Sequence, residues 1–131
     1  MKTGRFLQLL VYFCISIFSA YGAHAQMDNR MIRLAKIEVD PAQLEAYNAA
    51  LLEQMQTAVR LEPGVLTYYA VADKKNPNLI TILEIYADSS AYLKHISTDH
   101  FKKYKSTVAS MVKKLELIDV NLIGSAKQPG L

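Results

Sequence analysis

Glu84, His95 and His100 are the residues whose types and spacing could do chemistry in this chain. His95 shares one side of a short helical repeat with Ala91, Tyr92 and Ile96. An imidazole with an ordinary pKa of ~6.5 suits a proton acceptor working near neutrality. The same place suits a core histidine bonded to backbone or to Glu84. Glu84 falls mid-strand on one face with Ile80, Ile82 and Tyr86. A carboxylate buried there needs a partner; it can orient His95, hold a ligand hydroxyl or make a structural pair. His100 opens the next helix beside Thr98 and Asp99, either exposed or at a pocket mouth. Tyr68, Tyr69, Tyr86, Phe101 and Tyr104 offer aromatic surface for a pocket wall or a core. Asn121 on the last strand is a further polar candidate.

Several chemistries are excluded. His95 and His100 stand across a helix break, and no HExxH spacing occurs, so no metal site is expected. There is no Gly-rich phosphate loop and no nucleophile elbow. The first 25 residues read as a secretory signal: Lys2 and Arg5, an apolar run from Phe6 to Ala20, then Ala23-His24-Ala25 before Gln26. Cys14, the one cysteine, belongs to that run, so residues 26–131 form a domain without thiol chemistry or disulfides. Lys2 and Arg5 leave with the signal, so 13 basic residues face 12 acidic ones. Such a balance gives no electrostatic case for nucleic acid. The expectation is an exported, periplasmic or secreted domain with no membrane attachment after cleavage.

These side chains must be positioned by two strands and two helices within a longer alternation. Met31 to Val39 reads as a strand. Asp40-Pro41 is a helix start, with Leu44, Tyr47, Leu51, Met55 and Ala58 as the apolar stripe and Gln54 off it. Pro63-Gly64 stops that helix. Val65 to Asp73 and Leu79 to Ala87 read as strands joined by the polar turn KKNPN. Asp88 caps a short helix over Ser89 to Ser97. A further helix is expected from about His100 to Lys114, and a last strand from Leu115 to Ile123. The order is β-α-β-β-α-β, a ferredoxin-like α+β fold with an antiparallel sheet. The third strand is apolar on both faces, so both need cover. Helices supply one cover; a second copy of the chain is the expected other, making a homodimer.

Glu62-Pro63-Gly64, Tyr68, Asn76-Pro77, Glu84, Tyr86, Asp88, His95, Thr98 and His100-Phe101, in this order, resemble the antibiotic biosynthesis monooxygenase family, particularly its quinol-monooxygenase-like members. The likeness covers about Met31 to Leu122. It implies a dimeric α+β barrel with a pocket between sheet and helices in each subunit. It also implies oxidation of a small quinol or phenol by molecular oxygen, with no metal, flavin or haem. Under it His95 is the proton acceptor and Glu84 its orienter. Tyr86, Phe101, Tyr69, Tyr104 and His100 line the substrate pocket. Many members carry Trp where this chain has Tyr86, and the chain has no Trp. The alternatives are a non-catalytic dimeric binding or stress-response domain, and a haem-binding relative. The haem branch would need an axial histidine near Lys105, which is no normal haem ligand.

Overall fold

The computed structural model describes residues 29–130. The secretory-signal segment 1–25 lies outside the described residues. The elements are β1 (Met31–Val39), a 3₁₀ turn (Pro41–Gln43), α1 (Leu44–Leu61), β2 (Val65–Ala72), β3 (Leu79–Tyr86), α2 (Ser89–Ser97), α3 (Asp99–Val108) and β4 (Val112–Val120). They form a four-stranded sheet in the order β2-β3-β1-β4, antiparallel throughout. That is the ferredoxin-like arrangement expected from the alternation. Among the described residues no helix is long and apolar enough to cross a membrane.

Local chemistry sets the helix starts. Asp40 Oδ1 accepts a hydrogen bond from the Ala42 amide at 3.0 Å, and Pro41 sits in the first turn. Asp88 Oδ1 accepts from the Ala91 amide at 2.7 Å, and Thr98 Oγ1 from the Phe101 amide at 3.3 Å. In the β2–β3 loop, Asp73 Oδ1 accepts from the amides of Lys75 and Asn76 at 2.8 and 2.7 Å.

The core lies between one sheet face and the helices. Ala35, Ile37, Val39, Ile80 and Ile82 pack with Tyr47 and Leu51 of α1 and Val108 of α3. A second cluster joins Ala58, Val65 and Tyr86. On the other sheet face, Tyr69, Val71 and Leu79 are 55%, 63% and 43% exposed.

Three expectations are corrected. The last helix ends at Val108 rather than Lys114, and β4 runs from Val112 to Val120 rather than Leu115 to Ile123. Met111 continues the apolar helical period, but its carbonyl accepts from the Asp40 amide at 2.8 Å and Val112 pairs with Val39. Pairing with the end of β1 therefore overrides helical periodicity. Gln54, expected off the apolar stripe of α1, is buried, as are Tyr47, Leu51 and Ala58.

β2 carries a bulge. Val65 pairs with Tyr86 but Thr67 with Ile85, so Leu66 is a surplus residue. Beyond it Tyr68 stands opposite Glu84, on the helix side, and Tyr69 on the exposed face.

Candidate functional site

Between the sheet and α1, α2 and α3 is a cavity of about 90 Å³. Arg33, Ala35, Ile37, Ile82, Glu84 and Tyr86 form its floor, with Tyr68 beside them. Leu51, Gln54 and Met55 come from α1, and Phe101, Tyr104 and Lys105 from α3. Half-exposed Leu115 and Leu117 of β4, with exposed Lys105, form its solvent-facing edge. The wall is mainly apolar, and two of its polar groups stand out.

The first is Glu84. Its Oε2 accepts a hydrogen bond from the Tyr86 hydroxyl at 3.0 Å. Burial holds its carboxyl above the ordinary range; the Tyr86 bond and the charges of Arg33 and Lys105 offset this only in part. Arg33 is itself anchored to Asp119 at 2.7 Å and lies 4.4 Å over the Tyr92 ring. The second is Gln54, 5% exposed, whose amide nitrogen and oxygen both have no hydrogen-bond partner. An unpaired buried amide costs roughly 1–3 kcal/mol, which a ligand bonding to it recovers.

Behind Tyr86 the polar groups continue. The Tyr68 hydroxyl lies 2.7 Å from the Tyr86 hydroxyl and 2.8 Å from His95 Nε2. His95 Nδ1 is 2.8 Å from Glu62 Oε2, and His100 Nε2 is 2.7 Å from that same oxygen. Burial pushes His95 below its ordinary value; the Glu62 hydrogen bond and charge work against this, and His100 adds to it. Burial pushes the hydroxyls of Tyr68, Tyr86 and Tyr104 up, so they stay protonated. His95 is also boxed by aromatic rings, with the Phe101 ring centre at 4.8 Å and Tyr86 at 5.5 Å.

The structure brings Glu84, Tyr86, Phe101 and Tyr104 together at the cavity. It corrects four assignments. His95 is fully buried, lies outside the lining, and has both ring nitrogens engaged, so it cannot touch a ligand there. Glu84 does not orient it; Glu62 does, and Glu84 reaches it only through two tyrosines. Tyr69 points to the exposed face, because the bulge at Leu66 gives its expected place to Tyr68. His100 borders a second cavity of about 80 Å³, together with Glu53, Gln54, Lys103 and Tyr104. It is not at the mouth of the first.

Sequence reasoning missed Glu62 and Gln54. Glu62 reads as part of a helix stop, yet its C-cap position places it under α2, within reach of both histidines. Gln54 is spaced for the apolar stripe at seven residues from Tyr47 and four from Ala58; that spacing was the available signal.

Glu62, His95 and His100 are the described residues that could gather round a cation. Their N···O separations of 2.8 and 2.7 Å are those of charge-assisted hydrogen bonds. Neighbouring ligands of tetrahedral zinc stand about 3.3 Å apart, given metal–ligand bonds of ~2.0–2.1 Å. In this geometry Glu62 Oε2 is shared between hydrogen bonds with both imidazoles.

Fold and site together define a ferredoxin-like α+β domain with an aromatic, acid-bearing cavity between sheet and helices. The chain belongs to the antibiotic biosynthesis monooxygenase family, whose model matches residues 30–107. It is similar to a candidate antibiotic biosynthesis monooxygenase from Bacteriodes thetaiotaomicron VPI-5482: 55% identity over 79% of this chain and 94% of that one, with a TM-score of 0.72. A candidate monooxygenase from Lactobacillus acidophilus NCFM is 34% identical over 69% of this chain but 43% of its own, with a TM-score of 0.68. A candidate family member from Nitrosomonas europaea, at 18% identity and a TM-score of 0.69, shares the fold. No curated protein matches the chain.

Proposed function

We propose that the protein is a monooxygenase that oxidises a small quinol or phenol with molecular oxygen, using its own side chains and no cofactor, and that it works as a homodimer. The observation that carries this reading is the meeting of Glu84 and the unpaired Gln54 amide in one mainly apolar cavity. A ring with an oxygen at each end satisfies both groups and fills the aromatic wall. Arg33 and Lys105 favour the anion formed when that ring loses a proton.

Ground-state oxygen is a triplet and reacts slowly with closed-shell molecules. A phenolate passes it one electron readily. The protein removes the hydroxyl proton, holds the ring and shelters the radical pair. The pair combines into a ring peroxide. One oxygen atom ends as a ring carbonyl and the other leaves as water, so a quinol and O2 give a hydroxyquinone and water. Glu84 is the group that meets the substrate hydroxyl, and His95 acts behind it.

The homodimer rests on Leu34, Leu83, Ile85, Tyr69, Val71 and Ile118 sharing the sheet face away from the core. A second copy covers that face.

The test is oxygen uptake with a panel of quinols, in wild type and Glu84→Gln. Uptake that depends on Glu84 is expected. Tight quinol binding without uptake would instead make the protein a binding module.

A further inference from the structure

We propose that Glu84, Tyr86, Tyr68 and His95 form a proton relay that takes the substrate's proton out of the cavity and stores it on His95 against Glu62. This rests on the reading that a phenolic hydroxyl binds at Glu84. It goes further by giving a role to four groups, three of them behind that carboxyl.

Four links make the chain: Glu84 Oε2 to Tyr86 Oη at 3.0 Å, Tyr86 Oη to Tyr68 Oη at 2.7 Å, Tyr68 Oη to His95 Nε2 at 2.8 Å and His95 Nδ1 to Glu62 Oε2 at 2.8 Å. Each link needs one proton, and each hydroxyl has one to give. Suppose Glu84 is ionised. Tyr86 then donates to Glu84 and Tyr68 to Tyr86. The third link can be filled only from His95 Nε2–H; with Nδ1–H on Glu62, His95 is an imidazolium. Suppose instead that Glu84 is neutral. Its own proton fills the first link, Tyr86 donates to Tyr68, and Tyr68 donates to His95 Nε2. His95 is then neutral and keeps Nδ1–H on Glu62. The two arrangements hold the same number of protons, leave no link empty and require no tyrosinate. They differ by one proton moved from Glu84 to His95.

A bound phenol uses this difference. Its O–H bond breaks and the proton goes to Glu84 Oε1, the electron pair staying on the phenolate oxygen. In concert the Oε2 proton passes to Tyr86, the Tyr86 proton to Tyr68, and the Tyr68 proton to His95 Nε2. Four bonds to hydrogen break and four form. Glu84 and both tyrosines end neutral, and the positive charge rests on His95 beside Glu62. His95 is fully buried and Glu62 is 8% exposed, so bulk water does not take the proton directly. His100 Nε2 lies 2.7 Å from the same Glu62 oxygen, so that oxygen is held from both sides. The steps reverse when the ring peroxide takes the proton back at its distal oxygen.

The first measurement needs no ligand. The ¹⁵N shifts of His95 and the ¹³C shift of the Glu84 carboxyl are followed through a pH titration. Glu84 is faced by Arg33, Lys105, Tyr47, Tyr68, Tyr86 and Tyr104, and His95 by Glu62, His100, Tyr68, Tyr86 and Phe101. The relay predicts that both signals report two shared steps, and that Tyr68→Phe separates them into one step each. Through-space charge coupling alone survives that substitution. Independent steps in wild type, or shared steps persisting in Tyr68→Phe, overturn the relay.

The second measurement adds 4-nitrophenol, whose phenolate absorbs visible light. Bound to wild type, it is expected to ionise while His95 takes on the doubly protonated ¹⁵N signature. In Tyr68→Phe its ionisation constant falls about tenfold, one pKa unit. A bound phenolate beside a neutral His95 overturns the proposal. So does stoichiometric zinc binding that His100→Ala abolishes, because a ligated His95 cannot store a proton. The functional reading fails separately: an intact relay with no oxygen uptake from any quinol refutes the oxygenase and leaves the relay standing.

Discussion

Burial shifts Glu84 and His95 in opposite directions, the carboxyl up and the imidazole down, each toward its neutral form. Stability then depends on pH through both. His95 takes a proton near its ordinary 6.5 when unfolded and only at lower pH when folded. Its contribution is complete above 6.5 and is lost as pH falls through the folded value. Glu84 runs the other way, losing stability as pH rises from 4.5 through its raised folded value. In Glu84→Gln only the histidine effect remains. The melting temperature of that variant should fall as pH drops below 6.5, and a flat profile there contradicts the buried neutral His95. The same variant should lower oxygen uptake about 10²-fold, the lower end for loss of a general base. Gln54→Leu removes an unpaired amide from the core. It should raise stability by about 1 kcal/mol in denaturant unfolding and raise the quinol KM; a loss of stability would mean that the amide is satisfied in solution.

At the scale of elements, α2 holds His95 in place by packing on the helix stop. A Cβ at Gly64 would lie 2.6 Å from Ala91 Cβ. Gly64→Ala should therefore cost about 1–3 kcal/mol, and the double variant with Ala91→Gly should recover most of it, a coupling that two separate unfolding curves and their combination would measure. Element existence was legible because Asp40-Pro41, Pro63-Gly64 and Asp88 are local signals, and capping and turn chemistry act locally. The end of α3 was not. Helical periodicity runs on through Met111, and only the backbone of Asp40, far away in sequence, decides against it. The site divides the same way. Glu84, Tyr86, Phe101 and Tyr104 follow from strand and helix periods. The Glu62–His95–His100 cluster joins three elements whose approach no local period encodes.

For the molecule as a whole, the sheet has one face packed and one face bearing Leu34, Leu83, Ile85 and Tyr69. Tyr69 and Leu83 are paired neighbours on it. Light scattering at micromolar concentration should give twice the chain mass. Leu83→Arg should halve that mass while circular dichroism keeps the α+β spectrum, because the charge lies outside the core between sheet and helices. A monomer in wild type would refute the dimer and leave the cavity chemistry untouched.

The surplus residue at Leu66 bears on how relatives of this chain can be compared. Val65 and Tyr68 both face the helices although three positions separate them, an odd step that regular alternation forbids. The strand thus has one position to spare, and only between those two residues. A chain shortened by one there keeps Tyr68 opposite Glu84. One shortened elsewhere along β2 exchanges inside for outside. Insertions and deletions, rather than replacements, are the events to which this strand is selectively tolerant. An ungapped comparison across that step would pair the tyrosine of one protein's relay with the outward-facing tyrosine of another.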